Sequence, residues 1–231
     1  MSLERSSGII KNALSLRELQ KKLAEFRHRA RLWWLGLGHD ARHQAYLRVQ
    51  LERTLSKRNR DPGLRARLLI DRLIELGAPA QDAAVLCIGP RNASELEYFK
   101  SKALSNVVGI DLFSQSPDIL VMDMHCMTFP DDHFDIIYAS HSLEHAYDVH
   151  KVVSEIIRVA RPGALVAIET PVQYETRGAD LVDFGNLQNL HAVFEPHIAQ
   201  VLWSDEQPPH TLWNENGTAV VRTVFSIRKN G

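Results

Sequence analysis

From Asp82 onward the chain alternates two hydrophobic rhythms. Ala84-Val85-Leu86-Cys87-Ile88, Asn106 to Ile110, Asp118 to Met122, Phe134 to Ala139 and Leu165 to Ile168 are short apolar runs. Their length and β-branched content predict buried strands. Between the first two, Ala93 to Lys102 has helical spacing. Between the last two, Val149, Val152, Val153, Ile156, Ile157 and Ala160 recur every three or four positions, which predicts a helix halted at Pro162-Gly163. Gly185 to Glu195 reads as a further helix, Ile198 to Trp203 and Ala219 to Ile227 as strands, and Asp205 to Gly217 as a long loop. Before Gly77 the rhythm is helical throughout. Ser15 and Glu18 form a capping-box start, with Leu19, Leu23 and Phe26 as an apolar face. Further helices are expected over Ala41 to Leu55 and Leu64 to Leu76, separated by a turn at Asp61-Pro62-Gly63.

Strand, helix and strand joined by short connections make a right-handed parallel crossover over 134–168. Five such βα elements predict an α/β fold with a doubly wound, mostly parallel sheet behind an N-terminal helical extension. Ligands of such sheets bind beyond the carboxyl ends of the strands, so Ser140 to His145 is the first place to seek chemistry.

Net charge is −1, yet residues 1–75 carry a net +9 and the remainder −10. The split places a basic helical region, 1–77, before an α/β domain, 78–231. Arg27 to Arg31 precede Trp33-Trp34. The Trp pair fits either a cap packed on the main domain or an exposed interface for a partner, an acceptor or an anionic membrane surface. Two cysteines, Cys87 and Cys126, give no disulfide framework and are expected as buried thiols. No transmembrane run or signal segment stands out, which gives a cytoplasmic expectation. The basic region has no nucleic-acid-binding motif, so nucleic acid is not an expected partner.

The turn after the first strand leaves helix N-terminal amides free for a polar ligand. Asp111, about 22 residues after Gly89, stands at the spacing of a ribose-binding acid, and Asp123 at the third strand end suits an amino group. These residues belong to a wider pattern. Phe129-Pro130-Asp131, Phe134-Asp135, Leu143-Glu144-His145 and Glu155-Ile156-x-Arg158-Val159-x-Arg161-Pro162-Gly163 resemble the class I S-adenosylmethionine-dependent methyltransferases, type 11 branch. The resemblance implies a Rossmann-like sheet and S-adenosylmethionine as cofactor. It places Gly89 at the methionine part, Asp111 with Leu112 at the ribose, and Asp123 with Met124 at the adenine. Ser140 and His141 would line the methyl-donor side. Here Arg91 and Ala93 stand where the family repeats glycine, and Cys87 replaces an acid. Arg91 would then offer its guanidinium to the cofactor carboxylate, or fill the site.

Methyl transfer needs positioning more than covalent help, and a general base where the acceptor is a hydroxyl or amine. His145 and His141 are the candidates. His141-x-x-Glu144-His145 also spells an inverted zinc-peptidase motif, but it starts at a strand end with no helix beneath it, so no metal is expected. The reading is a methyltransferase for a small-molecule or lipid-linked acceptor, with peripheral membrane contact through the N-terminal region. The rival is a non-catalytic scaffold of the same fold, in which Pro90 or Arg91 fills the crevice.

Overall fold

The computed structural model describes residues 22–23, 26–27, 29–30, 33, 41–56, 63–77, 79–90, 92–114, 116–176, 178, 180–211, 214 and 217–229. The cap at Ser15 and Glu18, Leu19, Trp34, the turn residues Asp61-Pro62 and Arg91 lie outside them. The chain divides into two compact units, Met1–Leu47 and Arg48–Gly231. In the first, Lys22, Leu23, Phe26, Arg27, Arg29, Ala30 and Trp33 are helical and exposed, Trp33 at 70%. Helix α1 spans Ala41–Ser56.

The second unit is built on seven strands in the order β3-β2-β1-β4-β5-β7-β6. They are β1 Val85–Ile88, β2 Val107–Asp111, β3 Ile119–Val121, β4 Phe134–Ser140, β5 Ala160–Val172, β6 Ile198–Gln207 and β7 Ala219–Ile227. All neighbours from β3 to β5 are parallel, and β7 runs antiparallel to both β5 and β6. The order reverses between β1 and β4, and in sheets of this kind ligands bind beyond the carboxyl ends of the strands at such a switch point.

Side chains alternate across the sheet, so each apolar run feeds two cores. On one face Leu86, Ile88, Ile137, Ala139, Val166 and Ile168 cluster with Val152, Val153, Ile156 and Ile157 of α4 (Val149–Val159). On the other, Val85, Cys87, Ile136, Tyr138, Ala167 and Val224 cluster with Leu69, Ile70 and Leu73 of α2 (Leu64–Gly77) and Leu96 and Phe99 of α3 (Ser94–Ser101). Both faces being covered explains why the strands read as continuous apolar runs.

Asp148 caps α4 by accepting from Lys151 N at 3.1 Å, a contact worth about 1 kcal/mol. At its other end Arg158 donates to Phe129 O at 2.8 Å and Met127 O at 2.7 Å, and it pairs with Glu155 and Asp131. This fork ties the Phe129-Pro130-Asp131 turn to the helix, so the two halves of the sequence pattern are one structural unit. Asp135 accepts from Ala84 N at 2.8 Å and pairs with Arg161, which locks the lower ends of β1 and β4.

Three expectations shift. No loop follows α4: β5 begins at Ala160, and the pairing Phe134↔Ala160 resumes past an irregularity at Ile136↔Leu165. Pro162-Gly163 therefore occupies a strand irregularity, where a missing N–H is tolerated. The helix expected over Gly185 to Glu195 shrinks to α5, Leu187–Ala192, because Asn186 accepts from Asn189 N at 2.9 Å and fixes the start. Cys87 is buried, its thiol pushed well up by desolvation, but Cys126 is exposed in the turn after β3. No helix among the described residues is long and apolar enough to cross a membrane.

Candidate functional site

Four strand tips meet at the switch point. β1 ends in Gly89, whose φ of +75° is a backbone conformation that only glycine adopts cheaply. A Cβ built there would stand 2.6 Å from Ser142 Cβ, so the backbone of the first loop lies against the loop after β4. Pro90 is buried and turns toward the sheet: a Cβ on Gly109 of β2 would meet the Pro90 ring at 2.8 Å. The proline thus packs on β2 rather than closing the crevice. Asn92 Oδ1 accepts from Ser94 N at 3.0 Å and so organises the start of α3.

Asp111 is the last residue of β2, and its Oδ1 accepts from Phe113 N at 3.0 Å, which folds the chain back over the tip. Leu112 and Met124 beside the two acids are buried. Asp123 Oδ1 accepts from His125 N at 2.8 Å and lies 2.6 Å from His125 Nδ1. His125 Nε2 in turn accepts from Tyr147 N at 2.9 Å and Asp148 N at 3.1 Å. An acceptor at Nε2 requires the proton on Nδ1, facing the carboxylate. One buried imidazole therefore holds the β3 tip to the loop before α4.

Beside the crevice lies a charged cluster. Glu169 on β5 is fully buried. Its Oε2 accepts from Arg222 Nε at 2.5 Å. Its Oε1 stands 3.2 Å from Arg65 Nε, 3.1 Å from His141 Nε2 and 3.4 Å from Ser140 Oγ. Glu169 and Arg222 are directly opposed on β5 and β7, and Arg222 is opposed in turn by Asp205 on β6, at 3.3 Å. Burial would raise the Glu169 carboxyl, but His141, Arg65 and Arg222 outweigh it and hold the group at about 2.

His141 follows β4 at a φ of +50°. Its Nδ1 lies 3.4 Å from Glu144 Oε1. Burial works against its charged form, yet Glu144 and Glu169 prevail and bring its pKa to about 9. Glu144 is correspondingly lowered against the pull of its burial, first by His141. His145 Nδ1 stands 3.1 Å from Asp180 Oδ1, and its Nε2 is 4.0 Å from Glu144 Oε1. Leu143–His145 is a single 3₁₀ turn. His141 precedes it in a left-handed conformation, so the two histidines do not share a helix face as a zinc-peptidase motif requires.

The structure thus gathers Gly89, Asp111, Asp123, Ser140 and His141 at adjoining strand ends, with His145 one turn on. Glu144 carries no role in the sequence pattern, and Arg65, Asp180, Glu169 and Arg222 were not singled out at all. A signal for two of them was there to read. Glu169 and Arg222 are lone charges inside otherwise apolar strand runs, and a charge so placed needs an opposite partner.

Residues 86–168 match the family model described as Methyltransferase domain, type 11. The chain is 32% identical over 106 residues to a 2-phytyl-1,4-naphtoquinone methyltransferase of Synechococcus elongatus, covering 42% of this chain and 45% of that protein. It is 27% identical over 129 residues to the cycloartenol-C-24-methyltransferase of Arabidopsis thaliana, covering 54% and 34%. The chain therefore spans less than half the length of these curated relatives. Among solved structures it resembles the 1,6-didemethyltoxoflavin-N1-methyltransferase of Burkholderia thailandensis, with a TM-score of 0.63 at 14% identity over 84% of this chain and 92% of that one. At that identity the likeness is one of fold. Residues 86–168 thus match a methyltransferase domain, and the sheet is the Rossmann-like one that the sequence leads one to expect.

Proposed function

We propose that this methyltransferase domain transfers a methyl group from S-adenosylmethionine to a small-molecule or lipid-linked acceptor. The observation that carries the reading is the meeting of the strand tips at the β1–β4 switch point. There Gly89 leaves room for no side chain, and Asp111 and Asp123 close the tips of the next two strands. The relatives named as quinone and sterol methyltransferases, and a structural neighbour crystallised with S-adenosylhomocysteine, support the same cofactor and acceptor class.

The donor set fits such a cofactor. The turn at Gly89 is assigned to the methionine part of the cofactor, Asp111 with Leu112 to the ribose, and Asp123 with Met124 to an adenine edge flanked by apolar surface. Ser140 completes the wall. Arg91, outside the described residues, is assigned to the cofactor carboxylate. When bound, the sulfonium supplies an electrophilic methyl group, and positioning an acceptor in line provides much of the rate.

Of the two histidines, His145 is the better base. A carboxylate 3.1 Å from Nδ1, here Asp180, orients its ring. His141 is already charged at neutral pH and serves as a fixed cation. In the N-terminal unit, exposed Leu23, Phe26 and Trp33 among Lys22, Arg27 and Arg29 suit contact with an anionic membrane surface, the setting of a lipid-linked acceptor.

Calorimetric titration with S-adenosylmethionine and S-adenosylhomocysteine tests the reading. Micromolar binding, lost in Asp111→Ala, is expected. No binding by the unaltered protein would sink the function, and unchanged affinity in Asp111→Ala would sink the ribose assignment.

A further inference from the structure

In the N-terminal unit the exposed apolar residues follow a repeat stricter than amphipathicity requires. Leu23, Phe26, Ala30 and Trp33 are all helical and all exposed, Phe26 at 69% and Trp33 at 70%. They are spaced by three, four and three positions. In the sequence Leu16 and Leu19 stand at the same spacing before them, and Leu37 after them. Apolar residues at the first and fourth places of successive heptads, a and d, are the pattern of a coiled-coil seam.

At about 100° of turn per residue, the four side chains fall within an arc of about 80° on the helix. Lys22 and Arg29 border that arc on one side and Arg27 on the other. In the heptad, Lys22 and Arg29 take the g place and Arg27 the e place, the two that face a partner helix across a seam. All three are exposed, and among the described residues none of them forms an ion pair. Both flanks of the seam are therefore open and cationic.

Charge and spacing together sort the occupants. A second copy is disfavoured in either orientation. In a parallel pair Lys22 would meet Arg27 of the other copy. In an antiparallel pair g faces g and e faces e, so cation again meets cation. An anionic membrane satisfies the cations, but it asks nothing of the heptad spacing. An arc this narrow is that of a seam between two helices. A helix bearing acids satisfies both the charge and the spacing. We propose that this seam docks an amphipathic helix of a partner protein, apolar at its own a and d places and carrying Glu or Asp at e and g. The proposal goes beyond the methyltransferase reading and does not depend on it.

The test uses the full chain and two labelled synthetic peptides of three heptads. Both have Ile at a and Leu at d; one has Glu at every e and g, the other Lys. Fluorescence anisotropy should show the Glu peptide binding at least about tenfold more tightly, the scale of three flanking contacts turned from repulsive to attractive. The gap should narrow as salt is raised, because the pairs are exposed. Phe26→Asp, at an exposed position in mid-seam, should abolish binding of the Glu peptide and leave the thermal midpoint of the protein unchanged. Replacing Lys22, Arg27 and Arg29 together by Glu should invert the preference toward the Lys peptide. Equal binding of the two peptides, no binding of either, or an uninverted preference in the charge-reversed variant overturns the seam. Self-association by sedimentation equilibrium that disappears in Phe26→Asp overturns the choice of partner in favour of a second copy. Binding to phosphatidylglycerol vesicles without binding of the Glu peptide overturns it in favour of the membrane alone.

Discussion

Replacing Glu169 by Gln removes one charge from a site where three cations depend on it. The side chain keeps its size and one acceptor oxygen, so the loss reads the charge rather than a cavity. Glu169 is fully buried and its carboxyl is held at about 2 against an ordinary 4.5. At 1.36 kcal/mol per pKa unit, that gap corresponds to about 3 kcal/mol of folded-state stability. Breaking a buried ion pair from one side costs about 3–5 kcal/mol by a separate route, because it strands the partner's charge. The two estimates agree.

The sign follows from the direction of each shift. A carboxyl lowered on folding contributes fully above its unfolded value of 4.5 and loses that contribution as pH falls through about 2. His141, raised from 6.5 to about 9, contributes fully below 6.5 and loses it as pH rises through about 9. Both values describe the same contact and are not added. The network is therefore strongest between about pH 4.5 and 6.5. Urea unfolding at pH 6 should show the Glu169→Gln midpoint lower by about 1 M, taking a slope of about 2–3 kcal/mol/M. At pH 3 the difference from the unaltered protein should fall by more than half. A midpoint within about 0.3 M of the unaltered protein at pH 6, or a difference that stays the same at pH 3, would refute the account.

Two further outcomes follow from the crevice. Gly89→Ala combines left-handed strain of about 1–2 kcal/mol with the clash at Ser142, and should weaken S-adenosylhomocysteine binding at least about tenfold by calorimetry; an unchanged Kd would mean that the first loop does not shape the cofactor site. His125→Ala leaves the Tyr147 and Asp148 amides without an acceptor and should cost about 1–3 kcal/mol, with faster hydrogen exchange at both; undiminished protection would show that another group holds that loop.

The parallel half of the sheet was legible because each strand is buried on both faces and so reads as an unbroken apolar run ending at a polar tip. Asp111 and Asp123 stood out for the same reason: they interrupt the apolar pattern where the strands stop. The C-terminal boundaries were harder. Pro162-Gly163 is a helix stop by local chemistry, yet β5 runs from Ala160 to Val172 through it, paired with Phe134 of β4 at Ala160 and with β7 from Leu165 onward. Asp148, Asn186 and Asn189 make local contacts that sequence spacing can suggest. Glu169, Arg222 and Arg65 meet across 53 to 157 positions of chain only because the sheet order brings β5 beside β7 and α2 over its face. No spacing rule reaches that far.

The same geometry bears on the missing glycines. In the Cys87-Ile88-Gly89-Pro90 loop, one residue must take positive φ and lie against the loop after β4, and Gly89 does both. Pro90 needs neither, because its ring sits on Gly109, a glycine supplied by β2 instead of by the loop itself. The bulk of Pro90 is thus compensated from the opposite side, by a small residue on the neighbouring strand. It follows that Gly109→Ala should disturb the first loop as Gly89→Ala does, since its Cβ would press on Pro90 at 2.8 Å and on Ile119 and Leu96 at 3.2 Å. Were Gly109→Ala to bind S-adenosylhomocysteine normally, Pro90 would have another place to go, and the compensation argued here would be wrong.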